Sequence, residues 1–97
     1  GWYLDGKVSA LIGTHTHVQT ADERILPKGT AYLTDAGMTG PNDSVIGLDV
    51  DIAIKRFMSG IPEHYQMSTT NNRLNGVVVD VDAKTGRAQK ITRINLP

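Results

Sequence analysis

Two alternating stretches near the end of the chain, the first of them valine-rich, constrain its fold more than any other feature. Gly76-Val77-Val78-Val79-Asp80-Val81-Asp82 and Arg87-Ala88-Gln89-Lys90-Ile91-Thr92-Arg93-Ile94 read as strands, and the short Ala83-Lys84-Thr85-Gly86 link between them predicts an antiparallel hairpin. Gly86 suits the left-handed position of a type I turn with a bulge. Val77, Val79 and Val81 would then fill one face and leave Asp80 and Asp82 towards solvent, which argues against a paired-carboxylate site there.

The remaining elements follow from periodicity and punctuation. Val8-Ser9-Ala10-Leu11-Ile12 reads as a buried strand ended by Gly13, and Thr30-Ala31-Tyr32-Leu33-Thr34 as a second strand after the Pro27-Lys28-Gly29 turn. Asp22, Glu23 and Arg24 between them read as a solvated bend. Asp49 is placed to cap a helix running to about Ser59, and Gly60 and Pro62 stop it. Val50, Ala53, Ile54, Phe57 and Met58 share one helical face, which predicts a core-facing stripe. Trp2, Tyr3 and Leu4 suggest the end of a helix packed on the sheet, Glu63 to Ser68 an edge strand, and Ser68 to Asn75 a polar loop. The fold class is α/β, with α+β as the alternative, and residues 1–97 form one unit.

Where the first strand stops, the sequence reads Gly13-Thr14-His15-Thr16-His17. On an extended backbone His15 and His17 would project to the same side and Thr16 to the other. Two imidazoles converging on one point make a metal pincer, and Thr16 is a candidate substrate contact. The plainer alternative has one histidine hydrogen-bonded in a loop and the other solvated. His64 reads as a surface residue rather than a third ligand. Asp35 ends the second strand, and the glycines of Asp35-Ala36-Gly37-Met38-Thr39-Gly40-Pro41 permit close backbone approach, as at the border of a phosphate pocket or in a plain turn.

Composition excludes several function classes. Ten basic and ten acidic side chains balance, so the sequence carries neither a nucleic-acid footprint nor a polybasic membrane patch. No apolar run approaches the roughly 20 residues of a membrane-spanning helix. With no cysteine there is neither a disulfide framework nor a thiolate metal site, which suits the cytoplasm.

The run from Gly1 to Pro27, with Gly13-Thr14-His15-Thr16-His17 at its centre, resembles the bacterial YmdB-like phosphodiesterases of the calcineurin-like metallophosphoesterase superfamily. The likeness continues through Thr30 to Pro41 and, more loosely, to the hairpin, and is weakest from Met67 to Leu74. It implies a two-sheet sandwich flanked by helices, of which this chain would be the carboxy-terminal part. It also implies a dinuclear centre of Fe, Mn or Zn, with His15 on one metal and His17 on the other. In such sites the ions lie roughly 3.5 to 4 Å apart and bring the pKa of bound water towards about 7. The implied reaction is phosphodiester hydrolysis, with 2',3'-cyclic nucleotides as the substrate class.

The resemblance also marks what this sequence lacks. The other ligands, an Asp, a Glu, Asn residues and a further His, and the histidine that protonates the leaving group fall upstream of Gly1 in that family. The chain opens on Gly1, so it is expected to be a fragment whose partner is the preceding part of the same protein. By itself it should bind metal weakly, turn over no substrate and self-associate through uncovered apolar surface. The rival from another class is a non-catalytic association module whose histidines only structure a loop.

Overall fold

Ala31 and Leu33 have no exposed surface, and the first sheet is built around the short strand that holds them. The computed structural model describes all residues, Gly1 to Pro97. In chain order the elements are β1 (Ala10–Ile12), β2 (Arg24–Ile25), β3 (Ala31–Leu33), β4 (Gly40–Pro41), α1 (Val50–Ser59), β5 (Asn72–Val81) and β6 (Ala88–Leu96). The strands form two three-stranded sheets, ordered β1-β3-β2 and β4-β5-β6. β3 runs parallel to β1, with Leu11 opposite Tyr32, and antiparallel to β2. The mixed architecture expected from the sequence is present, although β1, an edge strand, is half-buried rather than buried.

β6 lies against β2 and β3, and Ala88 N–H donates to the Gly29 carbonyl at 2.8 Å, so the hairpin closes over the first sheet. Leu26 and Ala88 complete the small apolar centre. The hairpin forms with Gly86 left-handed at φ 73°, as its sequence requires. A bulge between Asp80 and Val81 shifts the register, so Val81 is 42 % exposed instead of sharing the face of Val77 and Val79. Asp82 does not face solvent freely either: its carboxylate takes the Lys84 N–H at 2.7 Å and shapes the turn. β5 also starts earlier than its valines suggest. Asn72 and Arg73 pair with Pro41 and Gly40, which turns part of the expected loop into strand.

Three further expectations fail for identifiable reasons. Gly1 to Lys7 forms turns rather than a helix end, and leaves Trp2 and Tyr3 exposed beneath the cations of Arg24 and Lys7. The buried Asp5 carboxylate accepts the Lys28 and Thr30 N–H groups, and the Thr30 hydroxyl accepts the Gly6 N–H at 2.8 Å, which folds this segment back onto the start of β3. Glu63 to Ser68 is not a strand: only Met67 bridges, to Leu48. Its polar members serve the helix instead, Glu63 pairing with Lys55 at 2.7 Å and Tyr65 lying under Arg56.

The third failure concerns α1. Its ends are as expected, with the Asp49 carboxylate accepting the Ile52 N–H at 3.1 Å and Gly60 closing the C-terminus at φ 67°. Its apolar stripe is not core. No residue of the helix is buried, and Phe57 and Met58 are 90 % and 80 % exposed, because neither sheet covers it. The radius of gyration is 17.3 Å, against about 12.5 Å for a compact domain of this length, and the helix belongs to that excess.

Candidate metal centre

The loop that carries the histidines starts from a contact with no room for a side chain. Gly13 N–H donates to the Leu33 carbonyl, Ala36 N–H donates to the Gly13 carbonyl, and a Cβ built on Gly13 would lie 1.9 Å from the Thr34 carbonyl oxygen. β1 therefore runs tight against the end of β3 and releases the chain into a bend over Asp35.

The backbone of that bend is not extended. His15 has φ 118° and His17 φ 66°, both in the positive region that L-residues enter at a cost, so the strand geometry expected for His-x-His does not hold. Both histidines are exposed, as are Thr14, Thr16 and Val18. The buried Asp35 carboxylate imposes the bend. It accepts the Thr16 N–H and the Thr16 hydroxyl, each at 2.7 Å, and the Gly37 N–H at 2.8 Å. Thr16 is thus the residue by which the loop is held.

Charge-assisted bonds of this kind favour the ionised carboxylate. The Thr16 hydroxyl first, then the Gly37 N–H and the Thr16 N–H, hold Asp35 below the usual carboxylate range. Asp35 is consequently an anchor and not an acid. Asp22 acts in the same way farther from the histidines: the Thr20 and Thr34 hydroxyls donate to it and bring its pKa from 3.8 to about 2. The cluster read as a solvated bend is therefore a second latch, extended by the Glu23 pair with Arg93 of β6 at 2.8 Å.

Gln19 ties the loop to the hairpin. Its side-chain NH2 is shared among the carbonyls of Ile94, Gly76 and Ala36 at 2.9, 3.1 and 3.3 Å. Gly37 passes so close that a Cβ there would stand 2.8 Å from that of Gln19. Neither contact is signalled by sequence spacing.

His17 has one nitrogen committed. Its Nδ1 lies 3.1 Å from the Ile46 carbonyl, and since a carbonyl only accepts, Nδ1 donates there and Nε2 is the nitrogen that can present a lone pair in the neutral ring. Ile46 itself sits at φ 49°, an unusual conformation for a β-branched residue, in a loop braced by Ser44, whose hydroxyl accepts the Gly47 N–H at 2.9 Å. A metal-ligating histidine ordinarily has its second nitrogen fixed by such a carbonyl, so His17 fits the role of a ligand. His15, exposed two residues away, is the other candidate. His64 is exposed and lies outside this loop. No three His, Cys, Asp or Glu side chains come together as a metal-binding group in this chain. The donor set thus fits a portion of a metal site and not a whole one.

Beside His17 lies an open recess of about 220 Å³, bounded by the loops around Met38 and Ile46 and by Asn75, Arg93 and Asn95 of the hairpin. Asn75 NH2 donates to the Met38 carbonyl at 2.7 Å and sets the depth of that loop.

The same fold exists in solved structures. The chain superposes with a TM-score of 0.92 on a phosphatase from Mycoplasma pneumoniae, 45 % identical, covering 98 % of this chain and 34 % of that one. A hypothetical protein from Thermus thermophilus gives a TM-score of 0.89 at 40 % identity, with 99 % and 38 % covered. A Bacillus subtilis relative named 2',3'-cyclic-nucleotide 2'-phosphodiesterase is 56 % identical over 94 residues, which are 97 % of this chain and 36 % of the relative. The chain thus spans about a third of the length of the relatives it matches. Residues 1–94 match the family model for YmdB-like proteins, and this chain is a member of the YmdB-like protein family.

Proposed function

We propose that this chain supplies two metal ligands, His15 and His17, to the active site of a phosphodiesterase acting on 2',3'-cyclic nucleotides. The observation that carries this reading is the 3.1 Å contact between His17 Nδ1 and the Ile46 carbonyl, which leaves Nε2 free on a loop held by Asp35. The Bacillus subtilis relative's name supports the substrate class. Two cations of the Fe, Mn or Zn kind would supply Lewis acidity towards the phosphate oxygens. The chain's own residues do the positioning. Ile46 orients the His17 ring, Asp35 holds Thr16 and with it the spacing of both histidines, and Thr16 stands between them beside any bound phosphodiester.

Because no third ligand joins them, the isolated chain binds metal weakly and does not turn over a cyclic nucleotide; the remaining ligands come from the rest of a longer protein in the cytoplasm. The uncovered α1 face supports self-association of the isolated chain, which light scattering would detect as a mass above that of one copy. Calorimetric titration with zinc or manganese tests the central assignment. Wild type should take up metal and the His15→Ala, His17→Ala double variant should not. Equal uptake in both would instead favour a non-catalytic module in which His17 only braces Ile46.

A further inference from the structure

We infer that the recess beside His17 is a nucleobase subsite, in which Asn42 reads the edge of the base and Asn95 donates a second hydrogen bond. This rests on the proposal that a phosphodiester sits at His17, since the recess takes whatever is attached to that phosphate.

Four features point to a neutral heterocycle. The recess opens directly against His17 and measures about 220 Å³, below the roughly 300–1,000 Å³ of pockets that enclose drug-sized ligands, so it suits a single ring system rather than a dinucleotide. Its one cation is already engaged: Arg93 Nε is 2.8 Å from Glu23, and Nη1 reaches the Thr20 carbonyl. That leaves little net charge for a second phosphate. Met38 and Ile46 supply apolar surface for a ring face.

The amides supply the edge. Asn42 is exposed in the recess wall, and its backbone N–H is tied to the Asn71 carbonyl at 2.9 Å while both ends of its side-chain amide are free of intramolecular bonds. An unengaged amide offers the adjacent donor and acceptor with which Asn pairs to adenine. Asn95 differs, because its Oδ1 takes the Arg73 Nε–H at 2.5 Å and fixes the flip, leaving the NH2 as donor. One wall is thus a free donor–acceptor pair and the other a committed donor.

Titration of the full chain with adenosine 2'-monophosphate, ribose 5-phosphate and inorganic phosphate tests the subsite. The nucleotide should bind at least about tenfold more tightly than ribose 5-phosphate, and the Asn42→Ala, Asn95→Ala double variant should bring that ratio near one. Metal uptake and melting temperature should stay at their wild-type values in the variant, which shows that the loop has kept its shape. Equal affinities for nucleotide and ribose phosphate in wild type would overturn the inference, and so would a ratio that survives both substitutions. The metal assignment fails separately: a chain that takes up no metal and still discriminates the base sinks that reading and supports this one.

Discussion

The histidine loop and helix α1 are opposites. The loop has irregular backbone, two histidines at positive φ and no repeating pattern, yet buried or charge-assisted bonds to Asp35, Asp22 and Gln19 hold it throughout. The helix is regular, capped at both ends and amphipathic, yet no residue of its apolar side is buried. Regularity and tertiary fixation are therefore separate properties. A helix needs only local signals to form, whereas a bend of this shape exists because distant carboxylates and carbonyls meet its backbone groups.

The largest effect should come from the point where the loop leaves the sheet. Gly13→Ala would place a methyl 1.9 Å from the Thr34 carbonyl, against backbone that pairs on both sides and cannot yield. We expect a loss of about 3 kcal/mol in chemical denaturation, at the upper end of overpacking. Gly60→Ala is the matching change on the helix. A Cβ there meets nothing within 4 Å, so only the left-handed φ of 67° opposes it, at about 1 kcal/mol. Equal losses at the two glycines would break the contrast.

Acid should separate the regions next. Asp22 and Asp35 are both more acidic folded than unfolded, so the folded state binds fewer protons. Their contribution is complete above the ordinary value of 3.8 and is lost as pH falls through the folded values, for Asp22 about 2. Amide protection factors at Thr16, Thr20 and Gly37, taken against the intrinsic rate at each pH, should fall across that window, and the Asp22→Asn, Asp35→Asn double variant should show the low protection already at neutral pH. Exchange in α1 should change less with either treatment. Unchanged protection at Gly37 in the variant would show that the carboxylates do not hold the loop.

How much of this could be seen in the sequence follows the same division. The hairpin, β1, β3 and the helix with its Asp49 and Gly60 ends were legible because each is written in neighbouring residues. So was the family, from the run around Gly13 to His17. What α1 packs against was not legible, since an apolar stripe states that a face should be covered and never by what. Nor was the role of Asp35. A carboxylate at a strand end looks the same whether it serves chemistry or takes two bonds from a residue nineteen positions away and a third from Gly37, and only the fold brings Thr16 to it. The Ile46 carbonyl that meets His17 Nδ1 carries no side-chain signal at all.

The smallest effect should fall where a sequence reading would place one of the largest. A phenylalanine on a helical apolar stripe, taken as core, costs about 3 to 5 kcal/mol on truncation to alanine. Phe57 is 90 % exposed, so Phe57→Ala removes almost no packed surface and leaves a better helix former behind. In dilute solution its stability should match wild type to within about 0.5 kcal/mol. A loss near the core value would mean that the ring is covered in solution, either from outside the chain or by a sheet that does not bury it in this structure. A dilution series then decides the matter: a penalty that fades as concentration falls belongs to an assembly, while one that persists would require the helix to fold back onto its own sheets.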